Sequence, residues 1–494
     1  MFKSVTPEQA GISSSHVEKF LRKLEQRGLY THSVLLMRGN DIFAEAYWKP
    51  FHQDFNHRMY SQTKSYVSIA IGLLEEDGKL NLDDPMYKYF PDLIERELPE
   101  NLKLLTIRHM LMMETCGGPP NWFKEDEPNR TKLYLNKAGA WLHPGMRWAY
   151  DSAGSQVLSS LVERLSGMRL FDFLNERVFR HLGTFKTAHI LKTKNDDSWG
   201  DSALLCTSRD MASFARFVMN YGTWNGKRLM NEAYLKEATS PLVSNDCVGF
   251  DDFGNRGYGY QIWTIGEDCF FFNGMGCQMT FCFPKQDLIF VMTADNDGFK
   301  TAKALIYSAL QDFILDNLQD APLPEDPKAA ESLNAYIKTL ELGYIKGTNV
   351  KGCADEINGK VWKTYNQSAT GITKFSLHFT SENEGEFRYT NAQGDKILPF
   401  GLGKNVFGKF PQKGYSTLHG GLENTEGYLY NCAVSAAWRE EKKLQMKVQI
   451  IDEYFGNAIF SFSFDGDEAM IIMFNEAENF MEEYIGRVSA KLEK

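Results

Sequence analysis

The residue pattern changes near residue 320, and this change constrains the fold more than any other feature. Before it, helical and strand-like patterns are mixed; after about residue 350, short β-rich runs follow one another, as at 361–365, 375–379, 444–451, 458–464 and 469–473. Residues 319–327 contain three prolines and several acids, which is typical of an extended linker. The 494 residues also exceed the roughly 250 to 300 that one hydrophobic core serves. We therefore predict a domain at 1–318, a linker at 319–334 and a β-rich domain at 335–494.

The first region predicts a mixed α and β domain. Two apolar runs at 33–38 and 41–48 flank Gly39-Asn40, which is typical of a hairpin. Between Thr63 and Glu76 the apolar residues recur at spacings of three and four, and Gly78 follows as a C-terminal cap, so this segment is a predicted helix. Further helices are predicted at 105–112, 155–166, 210–220 and 301–315, and strands at 269–272, 279–283 and 288–292.

The β-rich region predicts a small antiparallel barrel, which includes the lipocalin-like plan, or a sandwich, because many short strands occur without alternating helices. Core packing is the simplest role for its aromatic residues, and a ligand-lined barrel is the alternative. These residues are Trp362, Tyr365, Phe375, Phe379, Phe387 and Tyr389.

Composition excludes several classes of function. A formal net charge of −10 disfavours general binding to nucleic acid or to anionic lipid. No stretch has signal-peptide character or approaches the roughly 20 apolar residues of a membrane span, so we expect a soluble, cytoplasmic protein. The eight cysteines include no C-x-x-C pair, which argues against a zinc ribbon and favours reduced, mostly buried thiols.

Ser61-Gln62-Thr63-Lys64 is the only S-x-x-K sequence in the chain, and it stands where the helix at 63–76 begins. Residues three apart share a helix face, so the Lys64 amine can reach the Ser61 hydroxyl. A serine hydroxyl becomes nucleophilic when a neighbouring base takes its proton, and the helix start directs backbone N–H groups toward an oxyanion. Taken alone, the same residues are also explained by Ser61 as a cap and Lys64 as a solvated first-turn residue.

Residues 144–154 form a second candidate element. Tyr150 stands at the end of a loop that leads into a predicted helix, and a phenolate beside a lysine ammonium is a suitable general base. The alternative is a half-buried loop tyrosine with Ser152 capping the next helix. The Ser61–Lys64 motif and the Tyr150 motif each strengthen the catalytic interpretation of the other, because they occur in order and at a suitable separation in the chain.

With these motifs the chain resembles the class C β-lactamases and the related esterases. The resemblance rests on 58–66 and 71–85 around Ser61, and on 105–112, 144–152, 207–212 and 258–263, and it spans roughly residues 5 to 316. It implies an α/β (α+β) fold: a central antiparallel sheet flanked by helices, and a helical lobe, with the site between them. It also implies that Ser61 is the acylated nucleophile, Lys64 its proton partner and Tyr150 the general base. The backbone N–H groups of Ser61 and Met275 would form the oxyanion hole.

The chain departs from the family pattern at two places. Ser152 stands where the family has asparagine, and Phe272-Asn273-Gly274 aligns with a motif that usually starts with lysine or histidine. The cation that would grip a substrate carboxylate is then missing. Gly276-Cys277-Gln278 resembles a turn of the esterase and amide-hydrolase members, which favours neutral esters or amides. Asn273 and Gly274 as turn residues, and Gln278 as a strand-edge residue, stay open alternatives.

These residues together predict a serine hydrolase that cleaves an ester or amide through an acyl-serine intermediate. The chain has no G-x-S-x-G, H-E-x-x-H or G-x-x-x-x-G-K-[ST] sequence, and this chemistry calls for no metal or cofactor. The expected partner is a small ester, amide or peptide, and a homo-oligomer is compatible with the sequence. Two alternatives stay open: a β-lactamase or D-amino-acid peptidase, and an idle binding or sensing module of the same fold.

Overall fold

The computed structural model describes residues 2–120, 125–245, 256–348, 350–367, 371–414, 416, 427–452, 455–477, 481 and 483–493. The chain forms two compact units that divide between Glu341 and Leu342. Helix Pro327–Lys338 lies in the first unit, so the expectation of an extended linker over 319–334 is wrong for its second half. Asp326 accepts a hydrogen bond from the Ala329 amide, and proline at the first helical position suits a helix start.

The first unit contains a nine-stranded sheet. Its strands are β1 (Lys3–Ser4), β2 (Thr31–Arg38), β3 (Asp41–Tyr47), β9 (Val243–Ser244), β10 (Arg256–Tyr258), β11 (Trp263–Ile265), β12 (Cys269–Gly274), β13 (Gln278–Phe283) and β14 (Leu288–Ala294). Their order in the sheet is β1-β3-β2-β14-β13-β12-β11-β10-β9. Only the short β1 pairs in parallel, with β3; the other pairs in this sheet are antiparallel. This confirms the predicted antiparallel sheet and the predicted hairpin, in which Arg38 is paired with Asp41.

Short strands outside this sheet complete the unit. They are β4 (His57–Arg58), β5 (His189–Ile190), β6 (Leu204–Cys206), β7 (Thr223–Trp224) and β8 (Lys227–Arg228). The middle strand of the small three-stranded sheet is β6, which pairs with both β4 and β5. This pairing later positions the site, because β4 leads directly into Ser61.

Helices lie on both faces of the large sheet and also form a separate lobe. Their bounds are α1 (Ser14–Gln26), α2 (Thr63–Glu76), α3 (Glu100–Lys103), α4 (Ile107–Met112), α5 (Arg130–Lys137), α6 (Ser152–Ser166), α7 (Leu170–Leu174), α8 (Arg180–Leu182), α9 (Ser208–Met219), α10 (Glu232–Ala238), α11 (Ala302–Phe313) and α12 (Pro327–Lys338). Thr106 and Thr207 start α4 and α9 with capping boxes. Consecutive residues of β12 alternate between two cores: Phe270 and Phe272 pack in the core that contains α2 and α9, and Phe271 in the core that contains α1 and α11.

The second unit is a closed antiparallel barrel, as predicted. Its elements are α13 (Ala354–Ile357), β15 (Val361–Gln367), β16 (Lys374–Ser381), β17 (Glu384–Asn391), β18 (Gly394–Leu402), β19 (Val406–Lys413), β20 (Leu429–Glu440), β21 (Lys443–Ile451), β22 (Phe455–Asp465), β23 (Glu468–Ala477) and β24 (Gly486–Leu492). Their order is β18-β17-β16-β15-β24-β23-β22-β21-β20-β19, and a parallel pairing of β18 with β20 closes nine of them into a ring.

Aromatic side chains fill the inside of this barrel. Trp362 packs against Phe375, and Phe387 against Phe462, with ring centroids 5.7 and 5.1 Å apart. These residues are at most 1% exposed, which fits the core-packing interpretation of the sequence. Tyr365 is an exception to the predicted core packing: it is 64% exposed, and its hydroxyl donates to Glu468.

Within the described parts of the whole chain, no helix combines the length and apolarity needed to cross a membrane.

Candidate active site

Ser61 lies in a single 3-10 turn, Tyr60–Gln62, that runs directly into α2. Tyr60 holds a left-handed backbone conformation with φ 48°, a strained value for a residue with a side chain. One helical turn further on, the Lys64 Nζ donates to Ser61 Oγ at 3.0 Å. The predicted contact between the amine and the hydroxyl is therefore present, with Ser61 half-buried and Lys64 buried.

Lys64 also contacts a residue that the sequence motifs do not include. Its Nζ donates to the backbone oxygen of Asp201 at 2.7 Å and lies 3.6 Å from the Asp201 carboxylate. Burial raises the pKa of Asp201, and the nearby cations Lys64 and Arg58 oppose that effect. The amine next to Ser61 thus has a carboxylate beside it, and both side chains are buried.

Tyr150 reaches the same place from the loop before α6. Its ring lies 5.1 Å from Lys64 Nζ and stacks on Trp263, with ring centroids 5.9 Å apart. The next residue, Asp151, accepts hydrogen bonds from the Thr115 and Tyr134 hydroxyls, each at 2.9 Å, and caps α6 through the Gly154 amide. The buried Asp151 carboxylate therefore fixes the loop that presents Tyr150, and the cap of α6 is Asp151 rather than Ser152.

Strand β12 passes beside the 3-10 turn Tyr60–Gln62 with very little clearance. A Cβ at Gly274 would lie 2.3 Å from the Met59 carbonyl oxygen, so the backbone approach needs glycine there. Gln278 fastens the following turn: its side-chain amide donates to the carbonyls of Met275 and Ala294 and accepts from the Ala294 amide. Gln278 is fully buried, which matches the strand-edge alternative for this residue rather than a ligand contact.

A cleft of about 340 Å³ opens over these elements. Its lining residues are Ser61, Tyr150, Trp263, Asn273, Gly274, Met275, Gly276, Cys277, Asn296, Asp297, Gly298, Phe299, Lys300 and Lys303. The apolar residues at its rim, Met275 and Phe299, are 37% and 38% exposed. The cleft therefore combines a serine hydroxyl, a phenol, backbone amides and an apolar edge.

The structure brings most of the predicted site residues together. Ser61, Tyr150, Asn273, Gly274 and Met275 all line the cleft, and Lys64 lies directly behind Ser61. Ser152 is the first residue of α6 and is not among the described residues that line the cleft.

Sequence reasoning missed Asp201, Lys300 and Lys303. Phe272, which aligns with the family's cation, is fully buried and packs on Phe214, so any cation in the cleft must come from elsewhere. Lys300 and Lys303 follow β14 and carry no local motif. Over the described ranges, His, Cys, Asp and Glu side chains form no group of three or more that could hold a metal ion.

Comparison with known proteins identifies the family of the chain. A sequence model described as Beta-lactamase matches residues 16–312, which is more than half of the chain. The chain belongs to the beta-lactamase family. Within that family it is similar to the 6-aminohexanoate-dimer hydrolase of Paenarthrobacter ureafaciens, at 24% identity over 308 residues that cover 58% of this chain and 78% of the relative.

Two further comparisons describe this beta-lactamase family member. The esterase EstB of Burkholderia gladioli is 25% identical over 167 residues, 30% of this chain and 42% of the esterase. A solved structure, a putative 6-aminohexanoate-dimer hydrolase from Bacillus anthracis, aligns with a TM-score of 0.52 and 18% identity, covering 64% of this chain and 86% of that one. The first supports hydrolase chemistry in the family, and the second shows the shared fold.

Proposed function

We propose that this chain is a cytoplasmic serine hydrolase that cleaves an ester or an amide through an acyl-serine intermediate at Ser61. The observation that carries the proposal is the 3.0 Å hydrogen bond from Lys64 Nζ to Ser61 Oγ inside a cleft that Tyr150 also lines. Relatives named as a 6-aminohexanoate-dimer hydrolase and as an esterase support the reaction class.

The reaction proceeds in two steps. Ser61 Oγ bonds to the substrate carbonyl carbon while its proton passes to the Tyr150 oxygen; the bond to the leaving group then breaks, and that group takes the proton from Tyr150. Water attacks the acyl carbon and gives its proton to Tyr150, the acyl–Ser61 bond breaks, and the proton returns to Ser61 Oγ. Lys64 remains a hydrogen-bond donor to Ser61 throughout.

The carbonyl oxygen gains negative charge in both steps. The backbone N–H groups of Ser61 and Met275 are the proposed donors to it, because Ser61 stands at a helix start and Met275 directly follows β12, the strand that passes the turn Tyr60–Gln62. Gln278 supports this arrangement by holding the Met275 carbonyl.

The test is covalent labelling together with ester turnover. Wild-type protein should react with a fluorophosphonate probe and hydrolyse p-nitrophenyl acetate and butyrate, and Ser61→Ala should do neither. Ser68→Ala is the matched control, because Ser68 lies on the same helix and bonds Tyr234 instead. A folded wild type that neither labels nor turns over ester would favour the idle binding module and refute this proposal.

A second candidate is hydrolysis of an amide or β-lactam that carries a carboxylate. The observation that favours it is the pair of cations, Lys300 and Lys303, in the lining of the cleft. Lys303 also attracts the Asp297 carboxylate, whose pKa is raised by burial, so part of its charge is already engaged. Coulomb attraction from the two lysines would still favour an anionic substrate over a neutral one.

Lys300→Ala and Lys303→Ala separate the two candidates. If the substrate carries a carboxylate, the variants should raise KM for 6-aminohexanoate dimer, nitrocefin or a D-alanyl peptide and leave KM for p-nitrophenyl butyrate unchanged. If the natural substrate is neutral, none of the anionic compounds should be turned over faster than the ester.

A further inference from the structure

The contacts of Lys64 extend from Ser61 to a residue 137 positions further along the chain. Lys64 Nζ donates to Ser61 Oγ at 3.0 Å and to the Asp201 carbonyl at 2.7 Å, and it lies 3.6 Å from an Asp201 carboxylate oxygen. The two side chains are only 2% and 1% exposed. One residue thus engages the lysine through both its backbone and its side chain.

Burial makes this pairing important. A buried carboxylate without a partner is costly, and so is a buried ammonium, whereas the two together attract strongly where water is excluded. Lys64 and Arg58 act on Asp201 by this attraction, and the Trp199 side chain hydrogen-bonds to the same carboxylate. The Asp201 carboxylate is therefore the charged partner of the Lys64 amine that touches Ser61.

The backbone fixes the distance between the two residues. Strand β4 pairs with β6 through Arg58 and Leu205. Strand β4 ends just before the turn that contains Ser61, and β6 begins just after Asp201. The Met59 amide donates to the Leu204 carbonyl, and the Leu204 amide donates to the Thr63 hydroxyl. The segment that carries Asp201 is thus held on both sides of Ser61.

We propose that Asp201 is the positioning residue that holds Lys64 as an ammonium directed at Ser61. This inference rests on the proposed function and refines it. A lysine held as an ammonium cannot take the Ser61 proton, so that proton goes to Tyr150. Lys64 then contributes charge and a hydrogen bond, which stabilise the serine oxygen as it loses its proton and the phenolate that accepts it.

A double-mutant cycle tests the inference on the full chain. Asp201→Asn keeps the shape and removes the charge; Lys64→Ala removes the amine; the third variant combines them. We expect Asp201→Asn to lower both kcat for p-nitrophenyl butyrate and the rate of fluorophosphonate labelling by about ten-fold or more, with KM changed less than about two-fold. We expect the double variant to be no slower than Lys64→Ala, because Asp201 acts through Lys64.

Asp210→Asn is the matched control. Asp210 is another buried carboxylate, which accepts from the amides of Phe185 and Thr207 and is not in contact with Lys64. The Asp210→Asn substitution should lower thermal stability and leave kcat unchanged. An Asp201→Asn variant with the kcat of the wild type would overturn the inference. So would a double variant in which the fold losses of kcat of the two single variants multiply.

A stability cycle covers the case in which Asp201→Asn does not fold. Lys64→Met combined with Asp201→Asn also removes the ammonium that Asp201→Asn alone leaves without its carboxylate, so the double variant should melt at a higher temperature than Asp201→Asn alone. If the losses of stability in Lys64→Met and Asp201→Asn simply add in the double variant, the proposed pairing is also overturned. The proposed function fails separately, through a folded wild type that the probe does not label.

Discussion

Replacing Gly274 by alanine should disable the site through one methyl group. The Gly274 backbone has φ −125°, which any residue adopts, so alanine introduces no backbone strain. Its Cβ would lie 2.3 Å from the Met59 carbonyl oxygen, about 0.7 Å closer than the 3.0 Å below which Cβ contacts are essentially never observed. Strand β12 and the turn Tyr60–Gln62 must therefore separate.

That displacement falls between the two proposed oxyanion donors, because Met59 precedes Ser61 by two residues and Gly274 precedes Met275. A misplacement approaching 1 Å in a reacting geometry costs about 100-fold in rate, which corresponds to roughly 3 kcal/mol of activation free energy. Overpacking should also lower the free energy of unfolding by about 1 to 3 kcal/mol. We expect kcat for p-nitrophenyl butyrate to fall by about 100-fold.

The assay compares Gly274→Ala with wild type and with Gly408→Ala, at which a Cβ would meet nothing within 4 Å. Steady-state kinetics, fluorophosphonate labelling and thermal melting are measured on all three proteins. Wild-type kcat and labelling in folded Gly274→Ala would refute the argument that this close approach sets the geometry of the site.

Two further predictions concern the buried His57 and the Asp151 contacts that hold the loop of Tyr150. Burial lowers the pKa of His57 from 6.5 to about 4, so the unfolded chain takes up a proton first and stability falls as the pH drops below 6.5. Between pH 7 and pH 5 this contributes a loss of about 2 kcal/mol, and denaturant titrations should show a shallower loss in His57→Gln. Asp151→Ala removes the acceptor of Thr115, Tyr134 and the α6 cap, so denaturant unfolding should show a loss of about 2 to 4 kcal/mol. Its kcat should fall at least about ten-fold because Tyr150 is no longer held, and an unchanged kcat would show that the loop does not depend on Asp151.

Much of the fold was predictable because its signals are local. The apolar spacing of residues 63–76 predicted α2 with the bounds that the structure has, and the runs around Gly39 predicted the β2–β3 hairpin. Helical geometry alone sets Lys64 one turn from Ser61, so that contact followed from a spacing of three. The succession of short strands likewise predicted the barrel.

The linker shows where local composition is insufficient. Prolines at 322, 324 and 327 suggested one extended segment, but Pro327 starts α12 instead of breaking the chain. Proline is compatible with the first turn of a helix and incompatible with its interior, and only the cap at Asp326 distinguishes the two cases.

By itself, the sequence determined the helix Thr63–Glu76, the order of the motifs and the division into two kinds of architecture, because each depends on residues close together in the chain. Only the tertiary structure decided what surrounds Ser61. Asp201 meets Lys64 through the β4–β6 pairing, and Lys300 and Lys303 reach the cleft where β14 ends. Contacts between residues so far apart depend on strand pairing and on how the sheet packs, and no local pattern of residue types records them.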